Sequence, residues 1–236
     1  MGSRQRFLVA VAVTACVGAL TTGCTQTAEG SAQWISDQAS KPVDGGQTES
    51  VIIDAAAVED IVGADLPDLY ETDSPLDDSD LEDCEILGIK GQVALLGDDW
   101  DGFYLRKLDD APSDDQDADH IVLEVAAVYP DAEAATTAFE SAGDMAKECD
   151  DQERRTSDGY TWMPKIAEST ADSYAWTAEQ TDLVDQEWRC SGDARRRNNV
   201  IIRVFACTEG QDGPATAAAV ANAMSNTVWE LSSPEG

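Results

Sequence analysis

The chain has 236 residues, enough for one domain with a sizeable core plus terminal segments. It carries 47 acidic against 15 basic side chains, a formal net charge of −32. A surface that acidic repels nucleic acid and anionic headgroups, which excludes nucleic-acid partners and leaves a solvated acidic surface or cationic ligands.

The first residues read as an export signal: Arg4 and Arg6, an apolar run from Phe7 to Leu20, then Thr21-Thr22-Gly23-Cys24. Small residues before a cysteine suit a peptidase that cuts once a lipid sits on the thiol. Residues 1–23 are therefore expected to be a lipoprotein signal peptide and Cys24 the palmitate-type lipidation site. Cys16 is the alternative, but it would leave an apolar core of only Phe7 to Val13. This places the protein at the outer face of the cell membrane, held by a lipid anchor. Without Arg4 and Arg6 the mature chain has 13 basic side chains against 47 acidic ones.

Residues 24–50 hold few large apolar side chains and no periodic pattern, and are expected to be a disordered tether. Folded structure is expected over 51–232, with 233–236 a tail. Val51-Ile52-Ile53 enters a helix capped by Asp54 and stopped by Gly63. An Asp, Ser and Pro-rich loop runs to Cys84, and strands are expected at Gln92 to Leu96, Gly102 to Leu108 and His120 to Tyr129. Pro130-Asp131 opens a helix whose inward stripe is Ala135, Phe139, Ala142, Met145, Ala146 and Cys149. Further strands are expected around Tyr160 to Met163, Ser173 to Glu179, Glu187 to Cys190 and Val200 to Cys207. Gly213-Pro214 starts a last helix, with Ala217, Val220, Ala221, Met224, Val228 and Leu231 facing inward. This order predicts an α+β fold, a single domain with a mainly antiparallel sheet packed with helices.

Four cysteines follow Cys24, which in an exported chain points to two disulfides. If Asn198-Asn199 is a two-residue turn, Arg197 faces Val200, and counting outward sets Cys190 opposite Cys207 at a non-hydrogen-bonded position. A bulge at Gly192 would break that register. The bridge Cys190–Cys207 leaves Cys84–Cys149; two other pairings, or free thiols, stay open at this point.

The stretch from Val51 to Leu231 resembles the PknH-like extracellular domain family. The features that carry the resemblance are Val51-Ile52-Ile53 with Val58, Ile61, Val62 and Gly63, then Cys84 with Gly88. Val128-Tyr129-Pro130-Asp131-Ala132 leads through Phe139 to Cys149, followed by Trp188-Arg189-Cys190 and Arg197-Asn198-Asn199-Val200-Ile201-Ile202 to Ala206-Cys207. The resemblance implies an extracellular sensor domain with two disulfides, Cys84–Cys149 and Cys190–Cys207, and an open cleft for an unidentified ligand. It implies a free-standing lipoprotein member, since no kinase-like segment is present. This chain is more acidic than the family, and Arg203 stands where the strand is often acidic.

The chemistry of an enzyme is not written in the motifs. No Gly-rich phosphate loop and no Gly-x-Ser-x-Gly elbow occurs, and His120, the one histidine, reads as a structural residue at the start of an apolar strand. Neither Asp98 to Gly102 nor Asp115, Asp117 and Asp119 has the ligand pattern of a calcium loop, so no metal and no cofactor is expected. Eight of the 13 mature basic residues cluster in Arg154, Arg155, Lys165, Arg189, Arg195, Arg196, Arg197 and Arg203. Arg195 and Arg203 are candidates for holding an anionic group beside stacking faces of Trp176 and Trp188, against the plainer reading that these arginines pair with carboxylates. The function expected is non-catalytic binding of an envelope ligand or protein partner. The alternatives are an envelope glycan hydrolase using paired carboxylates, and a structural cell-envelope protein.

Overall fold

The computed structural model describes residues 40–76, 96–111, 117–155, 161–181 and 188–233. Its centre is an antiparallel sheet: β1 Asp68–Thr72, β2 Gly102–Asp109, β3 His120–Val128, β4 Arg154–Arg155, β5 Thr161–Ser169, β6 Ser173–Gln180, β7 Trp188–Arg197 and β8 Val200–Glu209. The spatial order is β1-β2-β3-β8-β7-β6-β5-β4, so the last strand in sequence lies between β3 and β7. β3 and β8 are the two strands with near-continuous apolar runs, and they take the middle because both of their faces are covered.

One face carries α2, Ala132–Glu148, which buries Ala135, Phe139, Ala142 and Ala146 against Leu123, Val125, Tyr174, Trp176 and Phe205. Asp131 caps it, accepting hydrogen bonds from the backbone of Glu133 and Ala134. The opposite face carries α3, Gly213–Ser232, whose Ala217, Val220, Ala221, Met224 and Val228 meet Val122, Ile202 and Val204. Beside α3 lie α1, Ala55–Val62, and a 3-10 helix, Gly45–Val51. Gly63 ends α1 at φ 80°, a left-handed cap that glycine adopts without a Cβ clash. The α+β class, the antiparallel sheet and the stripes of the two long helices follow the sequence pattern.

Two expectations are corrected. The tether does not reach residue 50, because residues 41–51 pack on the domain. Lys41 donates its backbone N–H to Ser232, Val43 and Val51 are buried, and Asp44 and Gln47 form a capping box on the 3-10 helix. The polar residues that suggest disorder here are capping groups between apolar anchors. Second, the loop expected from Gly63 to Cys84 contains edge strand β1, paired with β2 from Asp68↔Asp109 to Thr72↔Leu105. The signal segment, Cys16, Cys24, Cys84 and most of the strand expected at Gln92 to Leu96 lie outside the described residues, as do residues 234–236 of the tail.

The β7–β8 register is the one counted from the turn: Arg197↔Val200 through Cys190↔Cys207, with Gly192↔Phe205 inside it and no bulge. Cys190 and Cys207 form a disulfide across a cross-strand position, their Cα atoms 4.0 Å apart. Cys149 is also disulfide-bonded; its expected partner, Cys84, lies outside the described residues.

Candidate functional site

Strand alternation decides which of the sequence-predicted residues meet. Cross-strand partners share a face, and β7 pairs Ala194 with Arg203 but Arg195 with Ile202. Arg203 and Trp176 therefore point to the α2 face and Arg195 to the α3 face. The sheet separates the two arginines, so the anion clamp expected from Arg195 and Arg203 does not form.

On the α2 face Arg203 is 1% exposed, and its guanidinium carbon sits 5.2 Å from the centre of the Trp176 ring. Tyr174 lies 5.5 Å from Trp176, and Phe139 of α2 lies 5.2 Å from Tyr174. Burial lowers the Arg203 guanidinium to about 10, opposed by Tyr174, and pushes the Tyr174 hydroxyl up to about 12. With Trp176 also 1% exposed, this column is closed core and offers no open stacking face. Trp188, at the start of β7, packs partly buried against the same core.

Arg195 holds Asp193 with two hydrogen bonds of 2.7 Å and reaches Asn222 Oδ1 of α3 at 2.6 Å. Arg196 pairs with Asp172, and Arg189 with Glu179 at 3.3 Å. These arginines pair with carboxylates, the plainer of the two readings of the basic cluster.

A further charged pair lies in the core, outside the basic cluster. Arg106 of β2 and Glu124 of β3 are cross-strand partners on the α3 face, both buried. Its signal is a glutamate in the middle of the apolar run Ile121 to Val128 and an arginine in the alternating strand before it.

Among the described residues, an open pocket lies at one end of the sheet on the α3 face. A cavity of about 130 Å³ is lined by Val62 of α1, His120, Ile121 and Val122 of β3, Ala206 to Glu209 of β8, and Asp212 and Thr216 at the start of α3. His120 is braced from behind: its Nδ1 lies 2.7 Å from Asp110 Oδ2, and its backbone N–H donates to Asp110 Oδ1 at 2.8 Å. Burial alone would raise the Asp110 carboxyl, but these hydrogen bonds and the imidazole beside it hold it below the ordinary carboxylate range. Asp212 occupies the N-cap of α3 but makes no side-chain capping bond, so its carboxylate is not spent on the helix. Among the described residues no three His, Cys, Asp or Glu side chains come close enough to hold a metal ion.

The model of the PknH-like extracellular domain family matches residues 43–227. The fold is similar to the crystal structure of the extracellular domain of PknH from Mycobacterium tuberculosis, with a TM-score of 0.66 and 16% identity over 80% of this chain and 98% of that one. No curated protein matches the chain.

Proposed function

The chain belongs to the PknH-like extracellular domain family, and from that premise we propose that it acts outside the cell membrane as a non-catalytic, sensor-like binding domain tethered by a lipid on Cys24. The observation that carries this reading is the family match across residues 43–227, nearly the whole of the described fold. The lipid anchor is supported by the basic, apolar and small-residue order that ends at Cys24. Arg203 and Trp176 serve this function as core, and the cavity beside His120 is the place for a ligand.

Two experiments test the reading. Cys24→Ala should release the protein from membranes, and continued lipid labelling of that variant would move the anchor to Cys16. A thermal-shift screen of the mature chain against envelope glycans, lipids, small anions, amines and divalent cations should give one selective rise in melting point, because a ligand of the native state stabilises it by mass action. Silence from every class would defeat the small-ligand reading and leave a protein partner or a structural role.

A further inference from the structure

We infer that the outer edge of β1 is a docking site for an extended basic segment of a partner protein, which joins the sheet as a further strand. No residue of β1 lines the cavity beside His120, so this surface goes beyond the small-ligand reading and does not depend on it.

The backbone makes the edge available. β1 is the outermost strand on its side of the sheet and pairs with β2 from Asp68↔Asp109 to Thr72↔Leu105 without a bulge. In an antiparallel pair every second residue turns its N–H and C=O away from the partner, so the other side of β1 presents a row of donors and acceptors. Among the described residues no backbone group outside β2 bonds to that row. Proteins protect such edges with brevity, lysine, proline or a bulge. The opposite edge does so, since β4 is two residues long and both are arginines. β1 runs for five residues with no Lys, Arg or Pro among them, and the charge of Glu71 repels an acidic strand while it admits a basic one.

The side chains choose the occupant. Four large apolar side chains are exposed among the described residues, and two of them, Leu69 at 50% and Tyr70 at 47%, are neighbours here. Alternation sends Leu69 and Glu71 to the α3 face, beside Leu108 and Arg106, and Tyr70 to the α2 face, beside Lys107. Both basic side chains of β2 are already engaged, Arg106 with Glu124 and Lys107 with Asp109. The field at the edge therefore comes from carboxylates. Asp65, Glu71 and Asp73 are exposed, and burial together with Glu71 and Glu49 raises the Tyr104 hydroxyl above its ordinary value. An added strand matches this pattern when its basic residues lie on the Glu71 side, their alkyl stems over Leu69, and its apolar residues lie on the Tyr70 side. Main-chain hydrogen bonds then supply affinity and the alternating side chains supply specificity. A second copy is the poorer occupant, because β1 against β1 brings carboxylates together and each chain carries a net charge of −32.

So acidic a protein attracts any cation diffusely, and the test must separate strand addition from that field. The probe is the peptide acetyl-Lys-Val-Lys-Val-Lys-Val-amide, titrated into the mature chain in about 150 mM salt, which screens exposed charges beyond about 8 Å. One saturable site is expected, with the outward amides of β1 exchanging fast in the free protein and slowly in the complex, while those of β6 do not change. The same peptide N-methylated at every residue keeps its charge and loses its internal backbone donors, and should bind about tenfold more weakly or worse. Glu71→Lys turns an attractive cross-strand pair into a repulsive one and should raise Kd about tenfold. Glu133→Gln/Glu140→Gln, exposed on α2, shifts the net charge equally and should leave Kd within about twofold. Equal binding of the N-methylated peptide, or equal weakening by the α2 variant, overturns the site and leaves diffuse attraction. Outward β1 amides already slow in the free chain also overturn it, since another segment then covers the edge, and sedimentation equilibrium tells whether that segment comes from a second copy.

Discussion

Arg106 and Glu124 form an ion pair inside the domain, with side chains 8% and 0% exposed, that closes on both backbone groups of Ile53. Glu124 Oε1 accepts from the Ile53 N–H at 3.3 Å, Arg106 donates to the Ile53 carbonyl, and the two side chains meet at 2.9 Å through Nε. Ile53 joins the 3-10 helix to α1, so the pair fastens the N-terminal segment to the central strands. Burial is the largest influence on Glu124 and outweighs Arg106, raising the carboxyl from its ordinary value to about 7. A carboxyl that binds its proton more tightly when folded contributes stability that is fully present below pH 4.5 and is lost as pH rises to about 7. Glu124→Gln should therefore flatten the stability profile in that window. Arg106→Met should cost about 3–5 kcal/mol at pH 8, where a buried carboxylate is left alone, and less at pH 5, where Glu124 takes up a proton. Urea unfolding at the two pH values measures both; a pH-independent penalty would rule out titration of Glu124.

The hairpin bridge has a separate signature. Cys190 and Cys207 are 17 residues apart and buried on the α2 face, so the bridge closes a short loop and should contribute about 3 kcal/mol by restricting the unfolded chain. Cys190→Ala/Cys207→Ala should lower stability by about that amount while the β7–β8 amides stay protected in hydrogen exchange, since Arg197↔Val200 and the ladder above it do not depend on the sulfurs.

Gly192 has a task different from a bulge. A Cβ placed there would lie 1.9 Å from the Trp176 indole, and Trp176 has little room to retreat beneath Tyr174 and Arg203. Gly192→Ala should cost about 3 kcal/mol, the upper end for overpacking, and shift tryptophan fluorescence as the indole moves. Gly143 is the control: a Cβ there meets nothing within 4 Å, and Ala is the better helix former, so Gly143→Ala should leave stability equal or higher.

The sequence was most readable where one periodicity ran long enough to dominate. The α2 and α3 stripes, the caps at Asp54 and Asp131, and the β7–β8 register follow from spacing alone. Charged residues inside strands were harder, because type and spacing do not say which face they occupy until the pairing is known. Arg195 and Arg203, candidates for one clamp, are on opposite faces, while Arg106 and Glu124, to which no role is given by type or spacing, are core. The cavity could not be read from pattern, since it joins Val62, His120, Glu209 and Thr216 from four elements far apart in sequence. The N-terminal segment was hidden by its polar composition, although Asp44 and Gln47 stand at capping-box spacing.

That segment yields the last prediction. Asn199, 1% exposed in the β7–β8 turn, accepts from the Val43 N–H at 2.8 Å and donates to the carbonyls of Val43 at 2.9 Å and Tyr129 at 2.7 Å. Asn198, at φ 53°, donates to the Lys41 carbonyl at 2.9 Å. The turn thus holds the chain end from which the proposed membrane tether leaves. Asn199→Ala strands three buried backbone groups, and at about 1–3 kcal/mol for each unsatisfied group, reduced by relaxation, a loss of about 3 kcal/mol is expected. Asn198→Ala gives up one exposed hydrogen bond and a favoured left-handed conformation, and should cost about 1 kcal/mol. In hydrogen exchange, Asn199→Ala should speed the Val43 and Ile52 amides far more than those of β6 and β5 at the other side of the sheet. Uniform acceleration would mean that the 41–53 segment opens only with the whole domain and is not held by the turn.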